Sequence, residues 1–205
     1  MDLVELVGNP GNGDEFYVEQ KKSFLEHRTI ILNQEVDDNV IEDAVLYIIR
    51  WNREDKDIPV EKREKIKIFI NSVGGEIYSG QALIDAILAS KTPVMGVGIG
   101  LVASAAYLAF LACDERVCTS NCVLLMHDGN VTVSNSSRKA ADTIRFFTDE
   151  MEKRGKEYIL SRTNMTAEFY DDKYDQEYYF YPDKGKELGV VHKIIGEDCD
   201  IDYIL

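Results

Sequence analysis

Apolar and polar positions follow two rhythms along the chain. Thr29-Ile30-Ile31-Leu32, Ile66-Lys67-Ile68-Phe69-Ile70, Pro93–Gly98 and Val123–Met126 are short β-branched or apolar runs, and each predicts a strand. Val190-Val191-His192-Lys193-Ile194-Ile195 predicts a last one. Between them the spacing changes to that of helices. Ile41, Ala44, Val45 and Ile48 mark one face of a helix that Asp37 and Asp38 can cap. Ile77–Ser90 and Val102–Ala112 predict two more helices. Ala140, Ile144, Phe147, Met151 and Tyr158 give an apolar stripe to a long helix over Arg138–Ser161. Residues 1–20 read as an irregular, flexible segment, with Gly8-Asn9-Pro10-Gly11-Asn12-Gly13 as its turn. Glu54–Glu64, charged and holding Pro59, reads as a surface loop. Strands alternating with helices across short turns predict an α/β fold with a parallel-rich sheet and helices packed on it.

Length and charge narrow the classes. At 205 residues the chain is expected to be one domain, residues 1–205, large enough to keep a core without disulfide or metal. Its 37 acidic and 23 basic residues give a net charge of −14, which disfavours nucleic-acid binding. No apolar run approaches the roughly 20 residues that span a bilayer, and the acidic start Met1-Asp2-Leu3-Val4-Glu5 is unlike a signal peptide. No membrane contact and a cytoplasmic location are therefore expected. Cys113, Cys118 and Cys122 are spaced C-x4-C-x3-C, without the paired C-x2-C of zinc sites. Together with Cys199 they read as small hydrophobes, so no metal is expected.

Three places can carry chemistry. Ser104 follows an apolar strand and a small-residue turn, Gly98-Ile99-Gly100-Leu101-Val102-Ala103, at the start of a helix. There backbone N–H groups and the helix dipole favour a developing negative charge. His127 directly follows the strand Val123–Met126, at the carboxyl end where open α/β sheets place their sites. Its imidazole can take a serine proton and return it. Gly74-Gly75 sits between a strand and a helix, where a backbone N–H can face a ligand with no side chain in the way. Each has a plainer alternative: a packing serine, a strand-end histidine, a tight turn.

Taken in order, these residues resemble the ClpP family, the proteolytic subunits of the Clp protease. The likeness lies in Asn71-Ser72-Val73-Gly74-Gly75, Gly100-Leu101-Val102-Ala103-Ser104, Leu125-Met126-His127 and Ser161-Arg162-Thr163, and runs from near Arg28 to near Val191. It implies the ClpP/crotonase-like fold and a serine endopeptidase without metal or other cofactor. It implies Ser104 as nucleophile, His127 as general base, and the N–H groups of Gly75 and Ala105 as oxyanion hole. It also implies a homo-oligomer of two stacked seven-membered rings, joined by residues 138–161 as a handle helix. Unfolded protein substrates would be fed in by a Clp-type ATP-dependent unfoldase.

The chain departs from the family at several points. Val73 stands where the family has Pro, Asp128-Gly129 where it has Gln-Pro, and Asn130-Val131-Thr132-Val133-Ser134 in place of a glycine-rich stretch. The loop Glu54–Glu64 is longer, and the N-terminal segment differs. These changes bear on substrate preference and unfoldase docking. Counting from Thr163, or back from Gly189, the family's catalytic acid falls on Glu177, with Asp175, Asp172 and Asp171 near enough to compete. Two other readings stay open: a catalytically weak or inactive structural subunit, and a crotonase-type acyl-CoA enzyme.

Overall fold

The computed structural model describes residues 15–205. Seven strands form one sheet: β1 Thr29–Leu32, β2 Ile66–Ser72, β3 Val94–Ala103, β4 Glu115–Thr119, β5 Val123–Met126, β6 Tyr178–Phe180 and β7 Lys193–Ile195. The order β1-β2-β3-β4-β7 is parallel throughout, while β5 pairs with β3 in parallel and with β6 in antiparallel. Among the described residues eight α-helices accompany it: α1 Glu15–Glu26, α2 Leu46–Glu54, α3 Ile77–Ala89, α4 Ser104–Ala112, α5 Ser137–Phe146, α6 Glu152–Arg162, α7 Ala167–Lys173 and α8 Pro182–Glu187. The expected α/β architecture with flanking helices and a long helix is present. None of the helices among the described residues is long and apolar enough to cross a membrane.

Strand β2 shows why the sheet forms. Ile66, Ile68 and Ile70 are buried on one face, in the main core with Leu83, Ala106, Phe110, Leu124 and Val190. The other face is covered by a second cluster of Met95, Val97, Val117 and Ile204, against which Phe69 and Ile99 pack. Helix α4, Ser-Ala-Ala-Tyr-Leu-Ala-Phe-Leu-Ala, is apolar all round and almost wholly buried. Its last carbonyls cannot reach water, so two guanidinium groups satisfy them. Arg116 Nη1 donates to Leu111 O (3.2 Å) and Cys113 O (3.1 Å), and Arg162 donates to Leu111, Ala112 and Cys113 at 2.9–3.1 Å. Arg116 Nε also donates to Val190 O at 2.7 Å, which ties the segment before β7 to the same point.

Several sequence expectations need correcting. Residues 1–14 of the expected flexible segment lie outside the described residues, but residues 15–20 belong to α1 rather than to an irregular stretch. Leu25 from α1 enters the core and the Phe24 ring meets Phe69, and tertiary contact sustains a helix that its polar sequence does not advertise. Strand β4 is unannounced because the buried Arg116 interrupts its apolar pattern. Strand β3 runs on to Ala103, past the expected helix start at Val102. The last strand is only Lys193–Ile195. The long helix is continuous over residues 137–162 but contains a π-turn, Phe147–Met151. Its stripe is not all covered: α5 buries nothing, Ile144 and Phe146 are exposed, and Ile159 is the buried residue of α6. Cys113, Cys118 and Cys122 are buried, with burial pushing the Cys113 thiol up to about 12.

The loop Glu54–Glu64 hides one buried charge. Asp55, 1% exposed, accepts two hydrogen bonds from Arg28 (2.5 and 2.8 Å) and one from Thr92 Oγ1 (2.9 Å). Replacing Asp55 by Asn strips Arg28 of its charge partner and is expected to cost roughly 3 kcal/mol in denaturant unfolding. The hydrogen bonds from Arg28 hold the Asp55 carboxyl below its ordinary range. The unfolded chain takes up that proton near pH 4 and the folded chain only lower, so this stabilisation is complete above that pH and lost as pH falls. Unfolding curves collected from pH 7 to pH 3 should therefore show a shallower acid decline for Asp55→Asn than for the parent.

Candidate active site

The site grows out of a division in β3. Its first half, Met95–Gly98, pairs with β4, and its second half, Leu101–Ala103, pairs with β5. Gly100, at φ +79°, makes the turn between them, and a Cβ there would lie 2.5 Å from Asn71 Oδ1. That same oxygen accepts the Leu101 N–H at 3.0 Å and fixes the divergence. With Ala103 registered against Leu125, the next residues on each side, Ser104 and Met126-His127, come to the same end of the sheet.

Ser104 occupies the junction of β3 and α4 with φ +53°, a left-handed conformation rare for a residue with a side chain. Such strain is kept where surrounding structure enforces it. Gly74 approaches this residue so closely that it has no room for a side chain: a Cβ on Gly74 would lie 2.6 Å from Ser104 Cβ and 2.7 Å from Ala103 O. Gly75 lies next to Val36. Gly74 O accepts from Val36 N–H at 2.8 Å and Glu76 N–H donates to Val36 O at 2.7 Å. Trans peptide geometry then turns the N–H of Gly75 away from Val36, to the side of the cavity it lines. The N–H of Ala105 lies in the first turn of α4, where the helix has no acceptor to offer it.

His127 and Glu177 meet by strand register. The antiparallel pairs Leu124–Phe180, Leu125–Tyr179 and Met126–Tyr178 step toward the end of β5, and the next position sets His127 opposite Glu177. The Nδ1 to Oε1 distance is 2.8 Å. Asp128 N–H donates to Tyr174 O at 2.8 Å and ties down the loop leading to Glu177. Among the other acids, Asp171 pairs with Lys156 and Asp172 with Lys173, while Asp175 is exposed. The imidazole side chain is 17% exposed and the Glu177 side chain 59%, so the pair stands at the rim of the cavity. His127 Nε2 is buried, and among the described residues neither it nor Ser104 Oγ makes a hydrogen bond. The structure thus joins His127 to Glu177 and leaves the serine hydroxyl unbonded. His192 lies elsewhere, its Nε2 2.8 Å from Arg116 Nη2.

A cavity of about 120 Å³ opens beside these groups. Ser104, His127, Gly75 and Ala105 line it together with Ile84, Leu108, Met126, Phe147, Met151, Gly155, Ile159 and Tyr174. Sequence reasoning did not find the wall contributed by the long helix. Its signal is the four-residue spacing Phe147, Met151, Gly155, Ile159, which an ideal α-helix lets drift and the π-turn partly corrects. No cluster of three or more His, Cys, Asp or Glu side chains able to hold a metal occurs among the described residues.

Comparison with known proteins defines the class. A Clp protease family model matches residues 12–198, and the chain belongs to the Clp protease family. Relatives in that family include proteolytic subunits. The ATP-dependent Clp protease proteolytic subunit 3 of Rhizobium johnstonii is 30% identical over 143 residues, 67% of this chain and 72% of that protein. Proteolytic subunit 2 of Treponema pallidum is 28% identical over 187 residues, 88% of each. Among solved structures, a mutant ClpP1 from Listeria monocytogenes matches with a TM-score of 0.72 at 23% identity, over 91% of this chain and 99% of its own, and shares the fold.

Gly74→Ala tests the support beneath Ser104. The methyl group enters the space of Ser104 Cβ at a φ of +88°, and a loss of at least about 1–2 kcal/mol of stability is expected in thermal or denaturant unfolding. Unchanged stability would show that the turn yields without cost.

Proposed function

We propose that this chain is the peptide-hydrolysing subunit of a Clp-type protease, with Ser104 as nucleophile, His127 as general base and Glu177 as the orienting acid. The observation that carries the reading is the 2.8 Å contact between His127 Nδ1 and Glu177, which leaves Nε2 for the cavity that Ser104 lines. With Glu177 accepting a hydrogen bond from Nδ1–H, Nε2 is the free base and takes the Ser104 hydroxyl proton as Oγ attacks the peptide carbonyl. The N–H groups of Gly75 and Ala105 receive the oxyanion, aided by the start of α4. Imidazolium then gives its proton to the leaving amine, and water attacks the acyl ester by the same route. The hydroxyl-to-imidazole contact closes on substrate binding, as such contacts do in other resting sites. Residues of the substrate just before the cut fill the cavity.

The proposed assembly is a pair of stacked heptameric rings working with a Clp-type ATPase on unfolded proteins in the cytoplasm. The exposed Ile144 and Phe146, on a helix segment that buries none of its residues, offer apolar surface that self-association would cover, and this supports the assembly. The unbonded Ser104 hydroxyl supports a second reading, an inactive structural subunit of such a ring, and the kinetics below separate the two.

Ser104→Ala is expected to abolish hydrolysis of short fluorogenic peptides while the protein still assembles. Glu177→Gln is expected to lower kcat by about 10⁴-fold with little change in KM, and Asp175→Asn to have a mild effect. Full activity in the Ser104 variant overturns the nucleophile, and a dead Asp175 variant beside a normal Glu177 variant moves the acid by two residues. Light scattering of the parent is expected to give a large multiple of the 23.3 kDa chain mass. A stable monomer contradicts the assembly.

A further inference from the structure

Gly155 is out of place as a helical residue. It sits inside α6, where glycine costs about 0.5–1 kcal/mol against alanine. Neither close packing nor a left-handed backbone asks for it, since a Cβ at this position would meet nothing within 4 Å. What a side chain there would do is enter the cavity beside Ser104, because Gly155 is part of the wall. Three residues earlier on the same helix face, Glu152 also lines the cavity. Among the described residues its carboxylate makes no ion pair or hydrogen bond, although the neighbouring acids Asp171 and Asp172 are both paired with lysines. Ile84, Leu108, Met126 and Ile159 supply apolar wall to the same cavity, and Gln81 and Tyr174 line it as well.

We infer that this cavity selects a long, unbranched side chain with a cationic head, lysine or arginine, at the substrate residue preceding the cut. Gly155 provides the length and Glu152 receives the head. This deepens the peptidase reading and rests on it. A cavity of about 120 Å³ is near the roughly 150 Å³ that holds a benzene-sized guest, which suits a stem of several methylenes. Lysine and arginine lay such stems along apolar walls and keep their charge at a wet edge. Glu152, exposed at the edge, offers that charge a partner, whereas an apolar side chain of equal length takes water from the carboxylate and gives nothing back. The chain's net charge of −14 adds a field that gathers cationic peptides. Because the ion pair stays exposed, it contributes modestly, while the fit of the stem to the space left by Gly155 contributes more.

Binding separates this inference from the chemistry. Fluorescein-labelled product peptides ending in lysine, norleucine or alanine are titrated against full-length Ser104→Ala, with anisotropy as the readout. The lysine peptide is expected to bind about threefold tighter than norleucine at low salt, and both tighter than alanine. Adding Glu152→Gln, or raising salt to about 0.5 M, should equalise lysine and norleucine. Adding Gly155→Leu, which favours the helix, should weaken lysine and norleucine by at least about tenfold and alanine by less. Norleucine binding as tightly as lysine, or a lysine preference that survives Glu152→Gln, overturns the role of Glu152. Unchanged affinities in Gly155→Leu overturn the role of Gly155. Failure of the peptidase reading looks different: the parent protein hydrolyses none of the corresponding substrates while the order of binding stands.

Discussion

Strand β3 hydrogen-bonds to β4 over Met95–Gly98 and to β5 over Leu101–Ala103, and one strand serves both partners only because it turns at Gly100. The rest of the site follows from that division. It brings the end of β5, and so His127, level with the end of β3, and so Ser104. It also sends α4 straight down through the core. A helix so placed has two ends with opposite needs. Its last carbonyls are buried and take hydrogen bonds from Arg116 and Arg162, while its first two residues, Ser104 and Ala105, line the cavity. Sealing one end and opening the other concentrates the polar capacity of an otherwise apolar helix at the Ser104 side chain.

Second in importance is the pairing of β5 with β6. Three residue pairs fix a register whose continuation sets Glu177 against His127. With the Glu177 carboxylate more than half exposed, their contact adds little to stability. In the proposed mechanism its value lies in orientation, since an Nδ1 engaged by Glu177 leaves Nε2 as the base. The extra methylene of glutamate over aspartate is accommodated at the rim of the cavity. There the loop from Tyr174 is held by Asp128 but not packed tightly around the acid.

Much of this was legible in the residues. The runs at Pro93–Gly98 and Val123–Met126 are bare enough in pattern to read as strands; His127 directly follows the second, and Ser104 follows the first after a small-residue turn. Gly74-Gly75 announced a close approach, although only the structure shows what approaches: the Cβ of Ser104 and the carbonyl of Ala103. The acid was harder: counting from Thr163 and from Gly189 against the family pattern falls on Glu177 but leaves Asp171, Asp172 and Asp175 in play, and it is the β5–β6 register that brings Glu177 to His127. A three-residue strand such as β6 carries no periodic signal. Strand β4 was hidden by Arg116, whose burial is satisfied by carbonyls from α4 and from the segment before β7 that no local pattern brings together. Gly155 was invisible for the opposite reason: its significance is empty space, and sequence records only what is present.

The central claim is that Ser104 is a nucleophile made reactive by a histidine that Glu177 holds. A fluorophosphonate probe, followed by mass spectrometry of the labelled peptides and by the rate of labelling, addresses it most directly. The account predicts a single adduct on Ser104, no adduct in His127→Ala, and labelling slowed by orders of magnitude in Glu177→Gln. An adduct on another residue, or labelling of Ser104 at the parent rate without His127, would contradict it.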